Sequence, residues 1–220
     1  MDIVGRQKWF LSLSAGFIVV GLISLFSLTL NLGIDFTSGS SFDVEFAGPV
    51  QTEIVRSALN SAGHDDAVIQ AAGDGAFFIR TRDLGAEGMN DVRAAFDAQI
   101  NEEYTVPSVT SVGKSVAENT VRNAIIAVAV AALFVMLYVM YAFRSIPKSY
   151  RYAISAIIAL LHDVVFVLGL FAILGAVADV EVNAIFVVGI LTVIGYSVHD
   201  TIVIFDRIRE NVALAPSRPF

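Results

Sequence analysis

The chain has no cysteine among its 220 residues, which excludes disulfide frameworks, zinc knuckles and thiol nucleophiles. Charge is scarce too: 16% of residues are Asp, Glu, Lys or Arg, against about 25% in an ordinary soluble domain. With a net charge of −7, that balance disfavours both a disordered chain and a nucleic-acid-binding domain. The motifs of soluble enzymes are missing as well, with no G-x-S-x-G, P-loop, H-E-x-x-H or G-x-G-x-x-G. Neither an enzymatic activity nor a cofactor is expected. His64-Asp65-Asp66 gathers metal-ligating residue types, but three adjacent side chains cannot all face one ion without an unusual loop. A solvated loop, and no metal, is expected there.

What is abundant is apolar. Hydrophobic residues make up 56% of the chain and the mean hydropathy is +0.72. The excess is concentrated in four runs. Trp9 to Leu32 holds 24 residues without a charge, and Ala124 to Phe143 holds 20. Ala153 to Ala178 and Ala184 to Phe205 each contain one His-Asp pair. At about 1.5 Å per residue each run is long enough to cross a hydrocarbon core. Backbone groups in lipid must be bonded internally, so these runs are expected to be helices. The spans predicted are 9–32, 121–143, 153–178 and 184–206, with residues 207–220 as a cytoplasmic tail. The first run is longer than a signal-peptide core and no A-x-A-like site follows it closely, so a retained anchor is expected.

Positive charges set the orientation. Arg6, Lys8, Arg144, Lys148, Arg151, Arg207, Arg209 and Arg218 all fall near one set of ends, while the loop holding Asp179 and Glu181 has no base. The N-terminus is therefore expected inside and residues 33–120 outside. That segment carries 14 acidic and 5 basic residues, which suits protein partners better than anionic lipid. Ser41 to Phe46 alternates as a half-buried strand should. Val50, Ile54, Val55, Ala58 and Leu59 recur at helical spacing, with Gly63 as the residue that closes the helix. A strand at 67–71, an Asp74-Gly75 turn and a strand at 76–81 follow. Met89, Val92, Ala95, Phe96 and Ile100 mark a second helix, and 104–112 a fourth strand. The order βαββαβ predicts a ferredoxin-like α+β domain between the first two spans of an α-helical polytopic membrane protein.

The informative polar residues lie inside the spans: His162 and Asp163 on the third, His199 and Asp200 on the fourth. An aspartate at bilayer depth costs about 2.5–3.5 kcal/mol on insertion scales. By helical rise Asp163 lies about 16 Å in from the inner end and Asp200 about 9 Å, so both carboxyls are expected in the inner half on neighbouring helices. Desolvation disfavours the charged form of a carboxyl, so a group at that depth can alternate between charged and neutral as water reaches it. That alternation is what carrying a proton down its gradient requires. The alternative is that each aspartate only bonds Ser155, Asn183, Thr192, Ser197 or Thr201 on a facing helix and fixes packing. His199 lies about 100° around the helix from Asp200 and need not share its face. Small residues Gly169, Gly175, Gly189, Gly195 and Ser197 allow close helix approach.

The segment Ile194-Gly195-Tyr196-Ser197-Val198-His199-Asp200-Thr201-Ile202-Val203-Ile204-Phe205-Asp206-Arg207-Ile208-Arg209-Glu210-Asn211 resembles the fourth-helix motif of the SecF family. Gly33-Ile34-Asp35-Phe36-Thr37, Ala159-Leu160-Leu161-His162-Asp163-Val164 and Ser111-Val112-Gly113 are also similar to that family. The resemblance spans essentially the whole chain. It implies a bacterial cytoplasmic-membrane subunit that works with SecD and the SecYEG channel to draw unfolded preproteins outward using the proton gradient. It implies a proton-coupling role for Asp200, beside which Asp163 is expected to be a supporting polar group. His199 stands where the family usually has Asn, and so adds a second titratable group beside Asp200. Ser38 replaces the first of the family's paired glycines, a modest change by residue type. The family has six spans where this chain stops at Phe220 after four, which implies a truncated form or a missing half supplied otherwise. A small-molecule efflux subunit of the resistance-nodulation-division type, and a structural assembly factor without proton coupling, are the competing readings. An external segment of this size leaves little room for a substrate cavity of ~1,000 Å³.

Overall fold

A computed structural model describes residues 4–73, 75–85, 87–144 and 149–214. Asp74 of the expected turn, Lys148, Arg218 and Phe220 lie outside the described residues. After a 3₁₀ turn at Val4–Arg6, the elements are α1 (Gln7–Ser27), α2 (Ile34–Thr37), β1 (Gly39–Phe46), α3 (Thr52–Ser61), β2 (Val68–Ala71), β3 (Ala76–Thr81), α4 (Gly88–Gln99), β4 (Tyr104–Thr105), β5 (Val109–Val112), α5 (Lys114–Ala142), α6 (Tyr150–Ala178) and α7 (Ala184–Leu214). They divide into two compact units, residues 32–122 and a helical unit of residues 1–31 with 123–220.

The first unit is an antiparallel sheet in the order β2-β3-β1-β4, with β5 also on β1. The order and the βαββαβ succession are those of a ferredoxin-like domain. Alternation along the strands decides which face is covered. Phe42, Val44 and Phe46 of β1 and Phe77 and Ile79 of β3 enter a core with Val55, Ala58 and Leu59 of α3 and Val92 and Phe96 of α4. Asp43 and Glu45, the intervening residues of β1, lie opposite Phe78 and Ala76 on the other face. Phe96 stacks edge-on against Phe46 and Tyr104 at centroid distances of 5.9 and 5.5 Å. Gly63, at φ 85°, ends α3 as the sequence predicts: His64 N–H donates to Leu59 C=O and Gly63 N–H to Asn60 C=O, the two bonds of a Schellman motif.

Two features differ from expectation. The fourth strand is broken into β4 and β5, both paired with β1. Pro107 lies between them and has no N–H to give to the ladder. The change from glycine to Ser38 is not modest for the backbone. Ser38 sits at φ 64°, ψ 166°, a region that essentially only glycine occupies without strain. The next residue is the glycine at φ 129°, where a Cβ on Gly39 would come 2.5 Å from Thr81 O.

In the helical unit, α1, α5, α6 and α7 are each long and apolar enough to cross a membrane. α1 runs Gln7–Ser27 and so takes in Trp9 to Ser27 of the first apolar run, whose last residues leave the helix through Leu28 and a left-handed Thr29 at φ 60°. α5 and α6 run for 29 residues each, about 43 Å. At one end Phe143 and Tyr152 stack face to face, and Phe205 meets both edge-on at 5.7 and 5.0 Å. Ala153, Ala156 and Val139 complete that cluster. A second cluster joins Leu160 of α6 to Ile190, Ile194 and Val198 of α7.

Candidate functional site

α6 is the helix that holds the polar centre, and it has two packed faces. Leu160, Val164 and Leu168 meet α7. The opposite side meets α1, and the contacts advance together along both helices: Ser14 with His162, Phe17 with Phe166, Gly21 with Gly169, and Asn31 with Asp179. The two helices therefore run parallel. Their closest approach is at the glycines, where a Cβ added to Gly169 would lie 2.3 Å from Gly21 Cα. No other residue fits at Gly169 without the helices separating.

Two turns below that crossing, the polar groups join. Ser14 Oγ lies 2.5 Å from His162 Nε2, and His162 Nδ1 lies 2.9 Å from Asp163 Oδ1. Both His162 and Asp163 are half-buried. The sequence singles out Asp163 and gives His162 less weight; Ser14 it does not distinguish from Ser12, Ser24 or Ser27 of the same helix. Ser14 becomes visible only when α1 is laid beside α6.

Asp200 is placed differently. The packed face of α7 is Ile190, Ile194, Val198 and Ile202, one residue per turn. Asp200 lies two positions from Val198, about 200° around the helix, and is exposed with Tyr196, Val203 and Ile204. Among the described residues neither Asp200 nor His199 has a hydrogen-bond or ion-pair partner. Among the described residues no hydrogen bond joins the two aspartates, and Asp163 is engaged by His162. His199 lines a groove of ≈ 370 Å³ between α5 and α7, with Phe134, Val135, Tyr138, Gly195, Val198 and Ile202.

The polar side chains that could have held the aspartates are turned elsewhere. Thr192 and Thr201 donate to the carbonyls of Val188 and Ser197 on their own helix. Asn183 accepts from Phe186 N–H at the start of α7. Among the described residues, none of Ser155, Asn183, Thr192, Ser197 and Thr201 bonds Asp163 or Asp200. Past the apolar run, Arg207 pairs with Glu210 and Arg209 with Asp206 along one turn.

In the sheet domain, Asp65 and Asp66 both reach Arg82, at 3.3 and 2.7 Å, and His64 Nδ1 meets Thr81 Oγ1 at 3.2 Å. The Arg82 guanidinium holds the Asp66 carboxyl below its ordinary range. An open groove of ≈ 890 Å³ includes Glu45, Arg93, Asp97, Glu102, Glu103 and Tyr104 in its lining. Burial, then the hydrogen bond to Asp97, pushes the Tyr104 hydroxyl up.

Residues 92–220 match the family described as protein export membrane protein SecD/SecF, C-terminal, and residues 23–50 match the SecD/SecF GG motif. The chain is 41% identical over 223 residues to the protein translocase subunit SecF of Thermobaculum terrenum, covering 96% of this chain and 70% of that one. It is 34% identical to the protein translocase subunit SecDF of Bacillus subtilis, covering 100% of this chain and 28% of the relative. The crystal structure of SecDF, a translocon-associated membrane protein from Thermus thermophilus, superposes with a TM-score of 0.83 at 28% identity. That match takes in 100% of this chain and 29% of the other. The four apolar helices, the ferredoxin-like domain between the first two and these matches have one conclusion: the chain belongs to the SecD/SecF family of protein-export membrane proteins.

Proposed function

We propose that this chain is a subunit of the Sec export machinery of the bacterial cytoplasmic membrane, and that it couples proton movement to the outward passage of unfolded preproteins. Asp200 is the proton carrier. The observation that carries this reading is the position of Asp200: a carboxyl within an apolar span, on the face of α7 turned away from its packed neighbours, with no partner among the described residues. A carboxyl kept only for packing would be bonded to a facing helix. The five polar side chains best suited to do so are not bonded to it. An ionisable residue within a membrane span marks, by default, an ion or proton path.

Asp163, through its bond to His162, is a supporting group at the α1–α6 interface. His199, in the groove beside α5, is a second titratable group next to Asp200. The N-terminus lies inside and the ferredoxin-like domain outside, as the distribution of Lys and Arg favours. The partners are SecD, the SecYEG channel and the preprotein. Fusion of SecD and SecF in one chain, as the names of the Bacillus and Thermus relatives record, supports the first of these. The acidic sheet domain is the part that meets the emerging preprotein or SecD.

Replacing Asp200 with Asn keeps hydrogen bonding and removes titration. In cells carrying D200N in the full-length protein, precursor accumulates while membrane abundance and association with SecD stay normal. Unchanged export would leave the chain a scaffold.

A further inference from the structure

Two polar centres lie in the helical unit, and the proton-carrying role proposed for Asp200 uses only one. The other is the chain Ser14–His162–Asp163, which crosses from α1 to α6. Each link is within hydrogen-bond distance, at 2.5 and 2.9 Å. Both imidazole nitrogens are engaged, one by a carboxylate and one by a hydroxyl. With Asp163 ionised its carboxylate accepts only, so in that state Nδ1 carries a hydrogen toward Asp163. That fixes the tautomer of the neutral ring and leaves Nε2 as the acceptor from Ser14 O–H.

We propose that Ser14, His162 and Asp163 form a second proton-holding centre, at which His162 Nε2 takes and releases the proton and Ser14 passes the change to α1; the inference rests on the proton-coupling reading above. A proton arriving from water bonds to Nε2, and no bond to the ring's Nδ1 hydrogen is broken. The same Ser14–His162 contact then reverses: Nε2–H donates to Oγ, and the hydroxyl turns its own hydrogen away from the ring. A serine within a helix has a ready acceptor one turn back, here the carbonyl of Phe10. Release of the proton restores the first arrangement. The His162–Asp163 pair passes from one negative charge to none and back, so the α1–α6 interface is charged in one state and neutral in the other.

Among the described residues no other charged group faces this centre from the helices packed around it. α1 carries a single charged side chain, Lys8, six positions before Ser14 at the start of the helix. α6 offers Arg151 three turns earlier and nothing charged beyond Asp163 before its end. His199 and Asp200 of α7 lie off the face that meets α6, and α5 has no charge from Asn123 to Ala142. The position also suits a coupling role. The centre sits two turns from the Gly21–Gly169 crossing, where the helices touch backbone to backbone and have no side chains to absorb a shift.

The test measures gradient-driven export across the pH range in membranes carrying the full-length protein. H162Q keeps an amide able to bond both neighbours but cannot titrate. Its export is expected to fall about tenfold and to lose the pH dependence that the parent shows. S14A is expected to fall about threefold, and S14T, which keeps the hydroxyl, to stay within about twofold of the parent. D200N is run beside them. If D200N fails while H162Q exports with the parent's pH profile, this inference is overturned and the Asp200 reading stands. If D200N exports normally, the proton-coupling reading falls and takes this one with it. A uniform loss at every pH, with falling abundance and no rescue by S14T, makes the chain of bonds a packing contact and overturns the proposal. Should H162Q fail to accumulate, the contrast between S14A and S14T decides the matter.

Discussion

The sheet domain and the membrane helices solve opposite problems with the same chain. In the domain, every apolar strand residue of β1 has a helix to meet: Phe42, Val44 and Phe46 are buried under α3 and α4. Its one buried serine on that strand, Ser40, is bonded to Ser111 and accepts from Leu84 N–H. The domain is closed on itself, and its sequence reads as an alternation of inside and outside. The helices are not closed. Trp9, Leu11, Phe26, Phe134, Tyr196 and Ile204 are all exposed, because lipid is the solvent for most of their surface. A polar group on such a helix is held only where a neighbour happens to reach it. Asp163 has one and Asp200 has none among the described residues. A buried polar group in the domain is therefore explained by its partners, whereas an isolated one on the helices asks for a function.

The comparison can be broken first at the domain's centre. Phe96→Ala removes a fully buried ring that touches Phe46 and Tyr104 and is expected to cost about 3–5 kcal/mol. Hydrogen exchange in lipid nanodiscs should show protection lost across residues 39–112 and kept in α6 and α7. Gly169→Ala attacks the helices at their tightest point, where the new Cβ meets Gly21 Cα at 2.3 Å. A cost of about 1–3 kcal/mol is expected. Because the chain lacks cysteine, a pair introduced at Phe17 and Phe166 would report it as a fall in cross-linking. In the opposite direction, Ser38→Gly relieves a φ of 64° and should stabilise the domain by about 1 kcal/mol. No gain in its unfolding transition would mean that Ser38 is not strained.

The smallest effect is electrostatic. The Asp66 carboxyl is held below its ordinary range by Arg82, so its contribution is present above the unfolded value and is lost as pH falls through the folded one. That window lies below about pH 4. Both partners are largely exposed, and solvent screens the pair. Asp66→Asn should lower the domain's melting temperature by about a degree or less at neutral pH, and the difference should vanish in acid.

Sequence pattern carried most of the fold because the deciding signals are local. Four apolar runs, the alternation of Ser41 to Phe46 and the glycine after α3 each act within a few residues. The break at Pro107 is equally local, and it divides what the alternation alone reads as one strand from 104 to 112. The strain at Ser38 is not legible because residue type says nothing of φ; only the turn between α2 and β1 sets it. The candidate site residues divide in the same way. Asp163 and Asp200 stand out because a carboxylate in an apolar run is conspicuous by itself. Ser14 does not, since its meaning depends on a residue 148 positions away. The contrast between the aspartates is no more legible: adjacency to histidine is common to both, yet His162 bonds Asp163 while His199 turns into the groove beside α5.

The most direct test of the central claim is proton entry into vesicles that hold the full-length complex, measured with a pH-sensitive dye under an imposed gradient, for the parent and for D200N. D200N is expected to lower gradient-driven proton entry by about a hundredfold or more while the complex remains assembled. Proton entry equal to the parent's would contradict it, and Asp200 would then be no part of the proton path.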